Sequence, residues 1–132
     1  MKICLCGSTR FMSEFHRANV ELSLAGHIVY SVATSTKGDF IPSPDQKTML
    51  DLVHLRKVKE SDYVVVVGRN ADGSAYIGES TRREIMWASV WRIPVLFYDE
   101  SNQHELLNEM SPLANVDEIL TTFPPKNEEI DD

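Results

Sequence analysis

The stretch Asp62-Tyr63-Val64-Val65-Val66-Val67 constrains the fold more than any other part of the chain. Four successive valines show no polar–apolar alternation, so a strand made from them turns neither face to water. Strands buried on both faces belong to parallel sheets covered by helices above and below. With 132 residues the chain can build one such sheet and its helices but not two, so a single domain is expected.

The flanking sequence supplies the remaining parts of such a sheet. Lys2-Ile3-Cys4-Leu5-Cys6 is a short apolar strand that stops at the small, polar turn Gly7-Ser8-Thr9-Arg10. Phe11, Phe15, Ala18, Leu22 and Ala25 follow at intervals of four and three, which place one apolar stripe on a helix closed by Gly26. Ile28 to Ala33 is the next strand, and residues 34–44, with Gly38, Pro42 and Pro44, form a loop of functional length. A second helix spans Asp45 to Glu60 and leads into the valine strand. Gly68 to Gly78 is a loop, Ser80 to Arg92 a third helix, and Pro94 to Tyr98 a fourth strand whose proline stands at its first position. A weaker helix (Gln103–Met110) and a candidate fifth strand (Glu118–Thr122) precede an acidic tail, Pro124–Asp132, expected to be mobile. The domain proper is therefore expected over residues 1–123.

Alternating strands and helices with right-handed crossovers predict a doubly wound, flavodoxin-like α/β sheet with helices on both faces and strand order 2-1-3-4. In that order strands one and three are neighbours whose crossovers leave to opposite faces. The loops behind them, residues 7–10 and 68–79, then open the crevice in which such sheets bind ligands.

Charge and cysteine usage limit what the crevice can serve. A net charge of −7 and a pI near 5.0 disfavour a nucleic-acid duplex or an anionic membrane as a standing partner. No apolar run approaches the ~20 residues of a membrane span, and residues 1–15 carry charge without a signal-peptide core, so a cytoplasmic location is expected. Cys4 and Cys6 read as small buried hydrophobes on one face of the first strand. The histidines His16, His27, His54 and His104 lie scattered, with none at metal-ligand spacing, so no metal is expected. Neither G-x-x-x-x-G-K-[ST] nor G-x-G-x-x-G occurs, which disfavours a P-loop NTPase or a dinucleotide enzyme.

Two groups of residues suit a small ligand. Gly7, Ser8, Thr9 and Arg10 set two hydroxyls and a guanidinium at a strand-to-helix turn, where backbone N–H groups and the helix dipole favour an anion. A capped helix start with a solvated arginine explains the same residues. Tyr76, Gly78, Ser80, Thr81 and Glu84 supply a ring, a close-approach glycine, two hydroxyls and a helix-start carboxylate, fit for a ligand with a planar part, a sugar and a phosphate. Glu84 there suits a carboxylate nucleophile or a stabiliser of an oxocarbenium-like centre. Thr81-x-x-Glu84 is equally a capping box. Glu79 is a second acid, expected at the rim. Asp51, His54 and Lys57 share one side of the second helix, where His54 suits proton transfer near neutral pH and a solvated i,i+3 pair is the plainer account.

Taken together, Cys6-Gly7-Ser8-Thr9-Arg10 after the first strand, Ser61-Asp62 opening the third, and Glu84-Ile85-Met86-Trp87-Ala88 on the third helix resemble the nucleoside 2-deoxyribosyltransferase superfamily over roughly residues 2–98. That superfamily includes 2′-deoxynucleoside 5′-phosphate N-hydrolases. The resemblance implies that Glu84, with Ala88 four residues on, attacks C1′ of a deoxyribose to form a covalent glycosyl-enzyme. It also implies sugar or phosphate contacts from Gly7, Ser8, Arg10, Gly78, Ser80 and Thr81, no cofactor, and a homo-oligomer whose neighbouring chains complete each pocket. Trp87 and Trp91 would serve as a contact between copies or as core. The chain departs from the family where an aspartate usually stands eight residues before Asp62: here that residue is His54, with Asp51 one turn earlier. Gly78-x-x-Thr81-x-x-Glu84 also matches the G-x-x-T-x-x-E spacing of phosphoribohydrolases that release cytokinin bases.

The expected function is therefore N-glycosidic bond hydrolysis or deoxyribosyl transfer on a nucleoside or nucleoside 5′-monophosphate. Glu84 is the nucleophile, His54 or Asp51 the orienting or proton-donating group, Tyr76 the stacking ring, and Arg10, with Arg82, the phosphate partner. The rival is a nucleotide-binding or sensing module of the same fold without turnover. A flavodoxin-like electron carrier is a third reading, and it predicts a yellow protein.

Overall fold

The computed structural model describes residues 1–33 and 41–98. Its strands are β1 (Lys2–Gly7), β2 (Ile28–Tyr30), β3 (Tyr63–Val67) and β4 (Val95–Phe97), and its helices α1 (Met12–Leu24), α2 (Pro44–Lys59) and α3 (Glu79–Val90). The strands form one parallel sheet in the order β2-β1-β3-β4, as the crossover argument predicts. The helix at Gln103–Met110, the strand at Glu118–Thr122 and the tail Pro124–Asp132 lie outside the described residues.

The pleat distributes the two central strands between two cores. Ile3 and Leu5 of β1, with Val65 and Val67 of β3, point to the face covered by Phe15, Ala18 and Leu22 of α1. Cys4 and Cys6, with Val64 and Val66, point to the opposite face, against Val58 of α2 and Ile85 and Ala88 of α3. All of these side chains are fully buried, which accounts for the missing alternation in the valine run.

Element ends follow local chemistry. Ala25 caps α1 as an exposed residue and does not extend the buried stripe, because the chain turns immediately at Gly26, held at φ +95°. Strand β2 ends at Tyr30, three residues short of the expected Ala33. It pairs with β1 only opposite Lys2–Cys4, and beyond that the Ser31 carbonyl accepts a bond from Lys57 Nζ at 2.9 Å in place of a ladder partner. Helix α2 begins at Pro44 behind a reciprocal cap, in which Ser43 Oγ accepts from the Gln46 N–H at 3.2 Å and Gln46 Oε1 accepts from the Ser43 N–H at 2.9 Å.

Two glycines let the chain turn out of the central strands. Gly7 sits at φ +149°, and a Cβ there would stand 2.3 Å from the Val67 carbonyl oxygen of the neighbouring strand. Gly68, at φ +116°, has the Phe11 ring where a side chain would be. The carboxyl ends of β1 and β3 thus lie side by side and open. Among the described residues no helix is long and apolar enough to cross a membrane.

Candidate active site

A cavity of about 490 Å³ opens at the carboxyl ends of β1 and β3. The loop after β1 contributes Gly7, Ser8 and Thr9, and the approach to α3 contributes Tyr76, Gly78, Glu79, Ser80 and Thr81. Asp51 and His54 of α2 and Glu84 of α3 line it as well. The crevice is where the strand order places it, and its size suits a nucleoside-scale ligand.

Glu84 and His54 meet there. His54 Nε2 stands 3.2 Å from Glu84 Oε2, with the two side chains 10% and 13% exposed. That burial removes the solvated-face account of His54. The contact is one of charge rather than an aligned hydrogen bond: Oε2 is buried without a hydrogen-bond partner, as is His54 Nδ1. Helix geometry also removes the capping box. Gly78 is the N-cap of α3, without a side-chain cap, so Thr81 is the third helical residue and Glu84 the sixth. Glu84 therefore lies in the second turn and not the first, where the helix dipole is weak, and the charge that faces it is the imidazole.

The floor beneath this pair is unexpectedly polarisable. Cys4 Sγ and Cys6 Sγ lie 3.7 and 3.5 Å from His54 Nε2. Both cysteines are buried as small hydrophobes would be, but their sulfurs face the imidazole, a contact whose only trace in the sequence is a Cys-x-Cys repeat on one face of a strand. Burial, the largest single influence on His54, pulls its pKa down. The contacts with Cys4 and Glu84 and the charges of both groups outweigh it and carry the value up to about 10, so the imidazole is cationic at neutral pH. The thiols divide in opposite directions. A bond from Cys6 and the nearby imidazole bring Cys4 down to about 6 against the pull of burial, while burial and the bond to Cys4 hold Cys6 well above the usual thiol range. Among the described residues Cys4, Cys6 and His54 are the one group with metal-ligand geometry, their donor atoms all within 4.8 Å of one another.

The remaining predicted residues separate into lining and periphery. Asp51 lines the cavity with its side chain 45% exposed and pairs with Lys47 at 3.6 Å. Lys47, Leu50, Val32, Ala33 and Pro42 also line it and were not anticipated, since nothing in their spacing distinguishes them. Arg10 is outside the lining: exposed, its guanidinium stacks 4.5 Å from the Tyr76 ring centre and, with Phe11 at 5.5 Å on the same ring, fixes that wall. Arg82 faces Glu79 at 3.9 Å, and Glu79 is the first residue of α3, a half-exposed rim group. Lys57 is turned away to Ser31. Asp62 accepts the Lys2 N–H at 2.8 Å, and Ser61 Oγ bonds the Lys57 carbonyl, so this pair ties β3 into the amino edge of the sheet, far from the cavity. Trp87 and Trp91 stack at 5.2 Å, and Trp91 packs on the core.

Solved structures share this architecture. The 2-deoxyribosyltransferase of the psychrotolerant bacterium Bacillus psychrosaccharolyticus superposes with a TM-score of 0.60 at 16% identity, covering 88% of this chain and 96% of that one. The fold is deoxyribosyltransferase-like. A conserved protein from Enterococcus faecalis V583 superposes at 0.53 and 14% identity, over 92% and 87% of the two chains. At these identities the likeness is one of fold, the same parallel sheet with its helices. No protein-family model matches the chain, and no curated protein does.

Proposed function

We propose that the protein cleaves the N-glycosidic bond of a nucleoside or nucleoside 5′-monophosphate, with Glu84 as nucleophile. The observation that carries this reading is the Glu84 carboxylate held against the cationic His54 on the wall of a 490 Å³ cavity between the β1 and β3 loops. The structural neighbour, described as a biocatalyst for nucleoside synthesis, supports the substrate class. In this reading the Glu84 oxygen turned away from His54 attacks C1′, and the C–N bond electrons leave with the base. The base takes its proton from water, which the Asp51 carboxylate is placed to orient. Water then releases the sugar, or a second base accepts it. His54 holds Oε2 and so fixes the direction of attack; by neutralising part of the charge it also moderates the nucleophile.

Phosphate at the sugar's 5′ end fits the backbone N–H groups at the start of α3 and the hydroxyls of Ser8 and Thr9, with Lys47 as the nearest lining cation. Tyr76, braced by Arg10 and Phe11, provides the flat wall for the base. No cofactor takes part. We place the protein in the cytoplasm, where the free thiols Cys4 and Cys6 stay reduced, and take it to work as a homo-oligomer.

The His54–Glu84 contact also favours a second reading, a nucleotide-binding module whose carboxylate is held in a charge pair and never attacks. Incubation with a panel of nucleosides and nucleoside monophosphates separates the two. Free base detected by chromatography, and abolished in Glu84→Ala, supports the enzyme. Ligand-dependent thermal stabilisation with no product supports the module.

A further inference from the structure

Cys4 and Cys6 have no part in the chemistry proposed above, although they stand in a central strand of the sheet. At the equivalent positions of the next strand, on the same face, Val64 and Val66 fill the space with apolar groups. Two thiols stand in β1 instead, both fully buried, with their sulfurs 3.7 and 3.5 Å from His54 Nε2. Glu84 Oε2 stands 3.2 Å from the same nitrogen.

Those three separations, all meeting at Nε2, match three edges of a zinc coordination sphere, and the donors of Cys4, Cys6 and His54 all lie within 4.8 Å of one another. Zinc bonds of ~2.3 Å to sulfur and ~2.0–2.1 Å to nitrogen and oxygen, set at tetrahedral angles, give sulfur–nitrogen edges of ~3.6 Å and a nitrogen–oxygen edge of ~3.3 Å. Hydrogen bonding satisfies the cluster poorly. One nitrogen carries at most one proton, yet it faces two sulfurs and a carboxylate oxygen, and Oε2 is fully buried with no hydrogen bond at all. A cation among the three clustered donors would satisfy them and give Glu84 Oε2, 3.2 Å from Nε2, a partner within reach.

We propose that Cys4, Cys6 and His54 hold a zinc ion beneath the cavity, with the Glu84 carboxylate beside His54 turning in as the fourth ligand. Two thiolates, an imidazole and a carboxylate select Zn²⁺ over the harder magnesium or calcium ions. The ion reaches the site from the cavity, since His54 and Glu84 line it. Binding at neutral pH releases the Cys6 thiol proton and the Nε2 proton to solvent, Cys4 being already a thiolate, and changes no oxidation state. His54 Nδ1, the group that would brace a permanent ligand from behind, has no partner, so the ion exchanges rather than staying as a fixed structural element. One consequence rests on the function proposed above: a carboxylate bound to zinc is withdrawn from attack on C1′, so zinc occupancy switches the enzyme off.

Titration of the reduced, chelator-treated full chain with Co²⁺ tests the site itself. One equivalent should produce thiolate-to-cobalt charge-transfer absorption and the visible bands of a tetrahedral ion, both bleached by Zn²⁺. Cys6→Val, which copies the neighbouring strand, should weaken binding by more than about 100-fold, the upper range for disturbing only the groups behind a ligand. Cys4→Ala/Cys6→Ala should abolish the charge-transfer band. Absence of that band in the wild-type chain at one equivalent, or its persistence in the double variant, overturns the proposal. This optical arm holds even if no base release is found. Where base release is found, zinc should suppress it in the wild-type chain and leave the double variant's own rate unaltered; equal suppression in both overturns the switch.

Discussion

The two faces of this sheet are cut from the same strands, alternate residues of β1 and β3 going to each, yet they differ in kind. The face under α1 is hydrocarbon packing: Ile3, Leu5, Val65 and Val67 against Phe15, Ala18 and Leu22. The face under α2 and α3 begins the same way at Val58, Val64 and Ile85, then turns polar toward the carboxyl ends of the strands with Cys4, Cys6, His54 and Glu84. Since the backbone ladder is shared, the contrast comes from what the helices carry. The α1 face anchors the sheet without contributing chemistry, and the opposite face accepts buried polar groups because the first holds the strands in register.

The largest effect expected separates the faces most sharply. Glu84→Gln keeps the shape of the side chain and removes the anionic oxygen, so base release should fall by about 10⁴-fold or more, roughly 5 kcal/mol of transition-state stabilisation. The melting temperature should fall by only a few degrees, the cost of taking the facing carboxylate from a buried cationic His54. Steady-state rates and calorimetry on one preparation measure both; a melting temperature that collapses along with the rate would mean that the polar face carries the fold too.

Phe15→Ala should do the reverse. Emptying a fully buried aromatic position costs about 3–5 kcal/mol of stability, read by urea unfolding, while the activity of the molecules that remain folded should hold. A comparable loss of specific activity would couple the faces through β1.

Titration sharpens the contrast further. In the chelator-treated chain His54 has a folded-state pKa of about 10 against 6.5 for the free side chain, raised by Cys4 of β1 and Glu84 of α3 against the effect of burial. A raised folded value means that its stabilising contribution is complete below pH 6.5 and is lost as the pH climbs toward 10. Cys4, lowered to about 6 against 9.0 for the free thiol, works in the opposite sense from pH 6 to 9, so unfolding free energy should stay nearly level up to pH 9 and decline between pH 9 and 10. In His54→Gln the decline above pH 9 should shrink to the part that the raised Cys6 contributes.

How much of each face could be read from the sequence follows from the same contrast. The α1 stripe was plain at Phe15, Ala18 and Leu22, because helical period and burial coincide. The strand order and the crevice were legible because the valine run and the crossover rule admit few arrangements. The polar cluster was not. Cys4 and Cys6 lie in a run with both faces buried, so no alternation marks them as different, and His54 reaches them across 50 and 48 residues of chain, which no local spacing encodes. The Thr81-x-x-Glu84 pattern was ambiguous for a local reason. Gly78 takes the cap three residues earlier, which moves Glu84 into the second turn and frees its carboxylate to meet α2.

The smallest expected effect lies at a polar contact where the α1 core meets its rim. Tyr98, just beyond β4 and buried, donates its hydroxyl to Glu21 Oε2 of α1 at 2.7 Å. Tyr98→Phe keeps the ring in the core and removes only that bond, so the loss should be about 1 kcal/mol by urea unfolding, with no change in base release. Burial first, and the Glu21 carboxylate second, hold the phenol above its usual pKa of 10. The neutral phenol is thus the form the fold favours, and its contribution is intact below pH 10 and lost as the pH rises beyond it. Wild type and Tyr98→Phe should therefore converge in stability above pH 10 and differ below it. If the substitution instead altered the rate of base release, the α1 face would have to be counted part of the site, because of the described residues in that core cluster only Val32, packed at its edge, lines the cavity.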